Sequence, residues 1–521
     1  PTPSPGGPSR PSAPTPATPA SSTTCSGWPV AFGVQVASAP LSIQSGAVNG
    51  MVRVFLSSLG NPSTLGLTIA GNYSINGDPN LSIGNGESIT VGFSSATGAI
   101  TMTRSGVKTN MGTYFALRRH SAAGVNGIKI AQARVPGNPY PGDLSFQSVK
   151  QSNGSYKLYT IAHIYLENYL YGVLPYEMGN GAHIEALKAQ AVGARTYTVE
   201  KMRTRASGLY DVVDTTNDQV YNGTPSGNAN CVTAVDSTKG VVLKNGSSYT
   251  GTYYSASNGG QMESAANLWK SSGYEYLMVK DDPFDLANPD ASVKRSTISA
   301  DLTGGVANAS LLALLQAKAI TALNSAGYNA TTANTALHTV KSITPHTPMY
   351  PAPSKLYTKM DFVLTASTRN KSGNQVTATV TVTCGIFTEL ESMLGMSIQS
   401  ATNELWTVAK SGSNFVMEAR RYGHGIGMSQ RGAMQMGKMG YTYDQILGFY
   451  YNGCKRVRIS FTNTILAAGS SQQETTVEDP ADFEEEESSC TGVVKLVGST
   501  ASLAIRNGKS LSAAMLGVIA N

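Results

Sequence analysis

The chain has 521 residues and a formal net charge of +6, with 41% hydrophobic and 13% charged residues. This length allows two or three domains, and the low charge with abundant Gly, Ser, Thr, Asn and Tyr favours a β-rich secreted protein over a cytosolic helical one. No apolar run is long enough to cross a bilayer and no signal-peptide core follows Pro1, so we expect a mature or excised segment whose signal or membrane anchor lies upstream.

The positive charge is concentrated in the body of the chain. Residues 469–490 carry eight acidic and no basic residues. The body of the chain, residues 26–468, has a net charge of about +10. A basic body suits a polyanionic partner, such as an acidic cell-wall polymer. Nucleic acid fits this charge equally well, but the sequence contains no nucleic-acid-binding motif and no dense Lys/Arg patch. The alternative is that the charge serves only solubility.

The cysteines are isolated from one another. None forms a CxxC pair or a Cys/His cluster at zinc-ligand spacing, so we predict no structural metal site and no cofactor. Their odd number argues against a dense disulfide framework and leaves a single Cys384–Cys454 bridge as an alternative. The five positions are Cys25, Cys231, Cys384, Cys454 and Cys490.

The first 165 residues contain a linker and a β-rich half. Residues 1–25 are rich in Pro, Ser and Thr and predict an extended or disordered linker. Residues 26–165 consist of short β-forming segments, such as MVRVFLSSL, LTIAGNYSI and SITVGFSS, separated by Gly/Asn/Ser turns. We expect these strands to build a sheet that supports the segment that follows.

That segment, residues 164–201, contains an acid in apolar surroundings. Glu177 lies in LPYEM, and an apolar setting raises the pKa of a carboxyl group so that it holds a proton near neutral pH. A glycine-flanked break with Asn180 as the expected N-cap precedes an amphipathic helix. Lys188 and Arg195 share one face of that helix, and we expect this face to turn towards Glu177. The alternative is an ordinary helix with solvated charges.

Two polar segments follow the helix. In DTTNDQVYNG, Gln219 and Tyr221 are two positions apart and lie on one face if the backbone is extended. In YYSASNGG, Ser255 and Asn258 are typical of a loop that approaches a ligand, or equally of a plain turn. Tyr276, in YEYLMV, is a further candidate site residue.

The C-terminal part contains a predicted helix in SLLALLQAKAITALNSAG and a glycine-rich loop in GHGIGMSQRGA, residues 423–433. Short helices are predicted over 428–436 and 444–450, and His424 and Gln430 are candidate site residues. Residues 469–490 predict an acidic linker. Residues 491–521, too short to fold alone, resemble the opening of a bacterial Src-homology-type β-barrel that binds cell walls.

Three motifs, LPYEM with EALKAQAVGARTY, YYSASNGG, and GHGIGMSQRGA, closely resemble the signatures of the SpoIID/LytB family of bacterial cell-wall proteins. The resemblance implies an α+β fold over residues 26–468, with a β-rich half (26–165) and a motif-bearing half (166–468) whose central helix carries the catalytic motif. It also implies an extracellular or cell-wall location and glycan strands of peptidoglycan as the partner, with membrane contact only through an upstream segment.

By this resemblance, Glu177 takes the position of the catalytic acid of a lytic transglycosylase, which leaves 1,6-anhydro-MurNAc ends and needs a single carboxyl group. The substrate-binding residues implied are Lys188, Arg195, Gln219, Tyr221, Ser255, Asn258, Tyr276, His424 and Gln430. One alternative is a non-catalytic binder that stimulates a partner amidase. Another is a structural wall or spore-coat component.

Overall fold

The structure is a computed structural model that describes residues 41–120, 127–304, 308–466, 473–477, 503–506 and 515–519. The predicted linker at 1–25 lies outside these residues. The chain divides into a larger unit within residues 35–486 and a smaller unit, of which residues 503–506 and 515–519 are described. Helices and extensive strands occur together in the larger unit, so the α+β prediction is confirmed.

The first part of the larger unit is built of strands. Side chains along a strand point alternately to its two faces, so a strand with one covered face buries every second side chain. In β2, for example, Val52 and Val54 are buried while their neighbours are half-exposed. Short 3₁₀ turns occur at Ser57–Leu59 and Pro79–Leu81. The strands are β1 Leu41–Asn49, β2 Met51–Phe55, β3 Thr64–Ala70, β4 Tyr73–Ile75, β5 Ser82–Ile83, β6 Ser88–Phe93, β7 Ile100–Arg104, β8 Val107–Gly112, β9 Tyr114–Arg119, β10 Gly127–Ile130, β11 Pro139–Tyr140, β12 Asp143–Lys150 and β13 Tyr156–Tyr165.

The helical centre follows directly, because β13 runs into the first helix. Its elements are α1 Leu166–Glu177, α2 Ile184–Thr204, β14 Val212–Val213, α3 Ala229–Ser237, β15 Val241–Asn245, β16 Ser248–Tyr249, β17 Tyr254–Ser255, β18 Gln261–Met262, α4 Ala265–Trp269, β19 Lys280–Asp281 and α5 Pro283–Ala287. The expected N-cap at Asn180 is wrong. His183 caps α2 by accepting from the Glu185 N–H, whereas the Asn180 side chain accepts from the backbone of Cys231.

Described residues between 293 and 420 form a second hydrophobic core, whose buried members include Leu315, Phe362 and Met417. Two three-stranded sheets, β20-β25-β24 and β21-β22-β23, enclose it together with α6. A π-helical turn at Ile386–Leu390 precedes α7. The elements are β20 Val293–Ser299, α6 Ala309–Ser325, β21 Ala336–Pro348, β22 Tyr357–Arg369, β23 Gln375–Gly385, α7 Glu391–Met393, β24 Leu405–Ser411 and β25 Asn414–Arg420.

The chain then returns to the helical centre. The returning elements are β26 Met428–Ser429, α8 Gln430–Lys438, α9 Tyr443–Tyr450, β27 Lys455–Leu466 and β28 Gln473–Val477. Residues 473–477, assigned from the sequence to the acidic linker, form β28 against β27; the rest of that predicted linker lies outside the described residues. In the smaller unit, β29 Leu503–Arg506 pairs antiparallel with β30 Met515–Ile519, and the remainder of the predicted barrel fragment also lies outside.

Two sheets position the helical centre. One is a seven-stranded sheet of order β14-β2-β13-β12-β9-β4-β5, whose strand β13 continues directly into α1. The other, of order β1-β27-β15-β16, lies against α2. A six-stranded sheet, β11-β10-β3-β6-β7-β8, completes the β-rich half. Glycine allows α1 to approach the 221–223 segment closely, since a Cβ at Gly172 would lie 2.3 Å from the ring of Tyr221.

Among the described residues, Cys231, Cys384 and Cys454 are free and buried, so the alternative of a Cys384–Cys454 bridge is wrong. None of the helices in the described ranges has the length and apolar composition of a membrane span.

Candidate active site

Glu177 is the last residue of α1, not part of a loop or of α2, and its carboxyl group is half-buried. One carboxyl oxygen, Oε1, accepts from the backbone N–H of Val220 at 3.0 Å, and Oε2 accepts from Gln430 Nε2 at 3.5 Å. Loss of hydration raises the pKa of Glu177, and the hydrogen bonds from Val220, Gln430 and Tyr254 oppose this rise only in part. The carboxyl group is thus fixed in place, and its burial shifts its titration towards higher pH.

The phenol of Tyr254 is aimed at this carboxyl group from a buried support. Gln219 Nε2 donates to the Tyr254 hydroxyl at 3.3 Å, and Gln219 Oε1 in turn accepts from Thr198 Oγ1 at 2.9 Å. Tyr254 is therefore held by Gln219, and Gln219 is held by Thr198 of α2. This chain of buried hydrogen bonds fixes the position of the phenol.

The groove around Glu177 has a volume of about 420 Å³ and is open on one side. One wall is aromatic: the rings of Tyr253 and Trp269 lie 4.6 Å apart, and Trp269 and His424 lie 5.2 Å apart. Trp269 and Tyr422 are 37% and 48% exposed, so their faces are available for a flat apolar surface such as a sugar ring. The lining residues are Glu177, Tyr197, Thr216, Asn217, Asp218, Thr252, Tyr253, Tyr254, Ser255, Ala256, Trp269, Tyr422, Gly423, His424 and Gln430.

The glycine-rich loop brings His424 to the groove. Gly427 has φ +70°, and a Cβ there would lie 2.1 Å from the carbonyl oxygen of Tyr253, so only glycine lets β26 pair with β17. His424 Nδ1 accepts from the Ile426 N–H at 3.0 Å. Burial lowers the pKa of His424 to about 4, so the imidazole is neutral at pH 7.

Lys188 and Arg195 do not contact Glu177, and the prediction that they face it is wrong. The Arg195 side chain is 0% exposed and forms an ion pair with Glu167 at 2.7 Å. Lys188 Nζ donates to Glu185 Oε1 at 3.0 Å, and Glu185 Oε2 accepts from the backbone of Tyr443. The reason is that α2 is buried on every side from Glu185 to Val199, so the face that carries these cations packs on protein.

Four further predicted substrate contacts are also buried and are not among the residues that line the groove. Gln219 supports Tyr254, and Tyr221 is fully buried against the rings of Tyr140 and Tyr169. Asn258 Nδ2 donates to Asp282 Oδ2 at 2.7 Å, and the Tyr276 hydroxyl accepts from Gly251 N at 2.7 Å. The side chains that these motifs contribute therefore pack within the protein and do not face the groove.

Ser255, His424 and Gln430 line the groove together with Glu177, although they come from three separate stretches of the chain. Sequence reasoning missed Tyr254, Trp269, Tyr422 and Asp218. Tyr254 lies inside the YYSASNGG motif, so the motif could have identified it as a site residue. Trp269 and Tyr422 lie outside the three motifs, and only their exposure in the structure identifies them.

Asp218 is a second carboxylate in the groove, but its oxygens are occupied. Oδ1 accepts from the Tyr197 hydroxyl at 2.6 Å, and Oδ2 accepts from Arg205 Nη1 at 2.8 Å and from Val213 N at 2.9 Å. Glu177 is therefore the carboxyl group of the groove best placed to exchange a proton with a ligand. The described ranges contain no group of three or more His, Cys, Asp or Glu side chains arranged to hold a metal ion.

Comparison with known proteins gives one family. The family model for stage II sporulation protein (SpoIID) matches residues 155–244, which include Glu177 and α2. The amidase enhancer of Bacillus subtilis is 33% identical over 54% of this chain, and this chain spans only 39% of its length. Stage II sporulation protein D is 27% identical in Bacillus subtilis, over 63% of this chain and 86% of the relative, and 26% identical in Bacillus amyloliquefaciens, over 57% and 75%.

Proposed function

Because the chain belongs to the SpoIID/LytB family, we propose that it is a peptidoglycan lytic transglycosylase of the bacterial cell wall, with Glu177 as its acid and base. The names of its relatives fit remodelling of that wall. The observation that carries the proposal is the Glu177 carboxyl group, which is half-buried, has a raised pKa and faces a groove with an exposed aromatic wall. The substrate is glycan strands outside the cytoplasmic membrane, so the protein acts in an extracellular or wall-associated location.

The reaction needs one carboxyl group. Protonated Glu177 gives its proton to the oxygen that links MurNAc C1 to GlcNAc, and the C1–O bond breaks. The leaving sugar departs with a hydroxyl group. The C6 hydroxyl of the same MurNAc then bonds to C1 and returns its proton to the Glu177 carboxylate. No water is consumed, and the enzyme is restored with its proton.

The residues around Glu177 suit both protonation states. Val220 N–H, Gln430 and the Tyr254 phenol donate to the carboxylate that exists between the two steps, and desolvation favours the acid that begins the cycle. Neutral His424 and the rings of Trp269 and Tyr422 present an uncharged wall to the sugars. Such a wall contributes binding without competing for the proton.

The test is mass spectrometry of purified peptidoglycan after digestion. We expect anhydro-muramyl ends from the native protein and none from Glu177→Gln, which should still sediment with peptidoglycan. Glu275→Gln removes an exposed carboxylate outside the groove and serves as the matched control, with cleavage retained. Reducing ends would indicate a hydrolase, and retained cleavage in Glu177→Gln would remove this residue from the role of acid.

A second function, stimulation of a partner amidase by a non-catalytic binder, is favoured by the name of the 33% identical relative. The burial of Lys188 and Arg195 in ion pairs also favours this second function, because neither side chain is available to bind substrate at Glu177. Under this function, native protein and Glu177→Gln should raise the rate of a wall amidase equally, with no new glycan ends.

A further inference from the structure

A second hollow adjoins the Glu177 groove. Asn217 and Asp218 line both, so the two are continuous along the surface. The hollow has a volume of about 590 Å³ and lies beyond the C-terminal end of α2, lined also by Arg205, Leu209 and Tyr210. Its place next to the proposed catalytic groove raises the question of what a long ligand would meet there.

The loop that forms the hollow is anchored to β2 by polar and aromatic contacts. Arg53, from β2, forms an ion pair with Asp211 at 2.6 Å and donates through Nη2 to the carbonyl oxygens of Arg205 at 3.0 Å and Ala206 at 3.3 Å. The ring of Tyr210 packs 5.1 Å from that of Phe55. A loop fixed by a guanidinium and an aromatic contact binds a ligand without first losing conformational entropy.

The chemistry of the hollow suits an acidic sugar. The side chain of Arg205 is 38% exposed, whereas the carboxylates of Asp211 and Asp218 are 3% and 2% exposed and already paired. The guanidinium uses Nη1 for Asp218 and for the carbonyl oxygen of Asp211. A planar guanidinium has five N–H donors, so one edge can still meet a carboxylate. Leu209, 41% exposed, adds an apolar contact.

We propose that this hollow is a glycan subsite that binds a carboxylate-bearing sugar of the same strand, with the carboxylate on Arg205. The proposal rests on the proposed function for the identity of the strand. It makes the protein selective for strands with acidic sugars, and it extends the binding surface past the sugars next to Glu177.

The test compares two octasaccharides of equal length in the Glu177→Gln background, where nothing is cleaved. One alternates N-acetylglucosamine and N-acetylmuramic acid; the other, of N-acetylglucosamine alone, lacks carboxylates. By titration calorimetry, Arg205→Gln should weaken the first about tenfold and leave the second unchanged. Arg203→Gln removes the same charge from an exposed position outside the hollow and should change neither. Leu209→Ala, which leaves the Asp218 contacts intact, should weaken both about threefold.

In the Glu177→Gln background, two results would overturn the subsite. One is an equal affinity for the acidic octasaccharide with and without Arg205→Gln; the other is an equal loss on both octasaccharides with folding intact by circular dichroism. No effect of Leu209→Ala would also count against it. Absence of anhydro ends from the native protein, with the Arg205 dependence present, would refute transglycosylase activity and leave the subsite standing. Anhydro ends from the native protein, with octasaccharide binding that does not depend on Arg205, would refute the subsite and leave the transglycosylase activity standing.

Discussion

Arg195 on α2 and Glu167 on α1 form an ion pair at 2.7 Å in which neither side chain is more than 1% exposed. Arg195 also donates to the carbonyl oxygens of Val241 and Val235, so it joins α1, α3 and β15 to α2. The cation that the sequence predicts to lie near Glu177 is therefore the centre of a structural network.

Truncating Arg195 should destabilise the protein. Arg195→Met leaves the Glu167 carboxylate buried without its partner, and we expect a loss of about 3–5 kcal/mol in the free energy of unfolding by urea titration. The double variant Arg195→Met with Glu167→Leu replaces the pair by apolar groups and should recover most of this loss. If Arg195 contacted substrate, the folded double variant would fail to sediment with peptidoglycan; we expect it to bind normally.

Tyr254→Phe should raise the pKa of Glu177. The phenol stabilises the carboxylate, so its removal favours the acid and moves the alkaline limb of the cleavage profile to higher pH, by on the order of one unit. Cleavage rates measured across pH would show the shift. Tyr253→Phe removes a neighbouring hydroxyl that is absent from the groups acting on Glu177, and should leave the midpoint of that limb in place. An unchanged midpoint in Tyr254→Phe would contradict the proposal that the Tyr254 phenol stabilises the Glu177 carboxylate.

His424 should make stability depend on pH. Its pKa is about 4 in the folded protein and about 6.5 in an unfolded chain, so the folded state binds this proton less well. The stabilisation is present above pH 6.5 and is lost as pH falls towards 4, at up to about 1.4 kcal/mol per pH unit. In His424→Gln, unfolding free energies measured between pH 4 and 7 should vary less steeply. Parallel curves for the two proteins would contradict this.

Two glycines with similar positive φ angles should differ in their tolerance of alanine. At Gly427 (φ +70°) an added Cβ would lie 2.1 Å from the Tyr253 carbonyl oxygen, whereas at Gly412 (φ +58°), in the turn between β24 and β25, it would meet nothing within 4 Å. Gly412→Ala should cost about 1–2 kcal/mol for the left-handed conformation alone. Gly427→Ala should cost at least about 2 kcal/mol more, because the loop must move away from β17. Equal melting temperatures would show that this contact is not limiting.

The sequence by itself determined the α+β class, the acid in an apolar setting and the three motifs that meet in one groove. Short-range pattern is a local property, so the apolar neighbours of Glu177 and the glycines around His424 are visible in the chain. The tertiary structure decided which charged and aromatic groups face the groove. Arg195 is buried because Glu167 of another helix neutralises it, and Trp269 and Tyr422 are exposed because none of the described elements covers them fully. Such outcomes depend on partners distant in sequence, and periodicity within one helix carries no information about those partners.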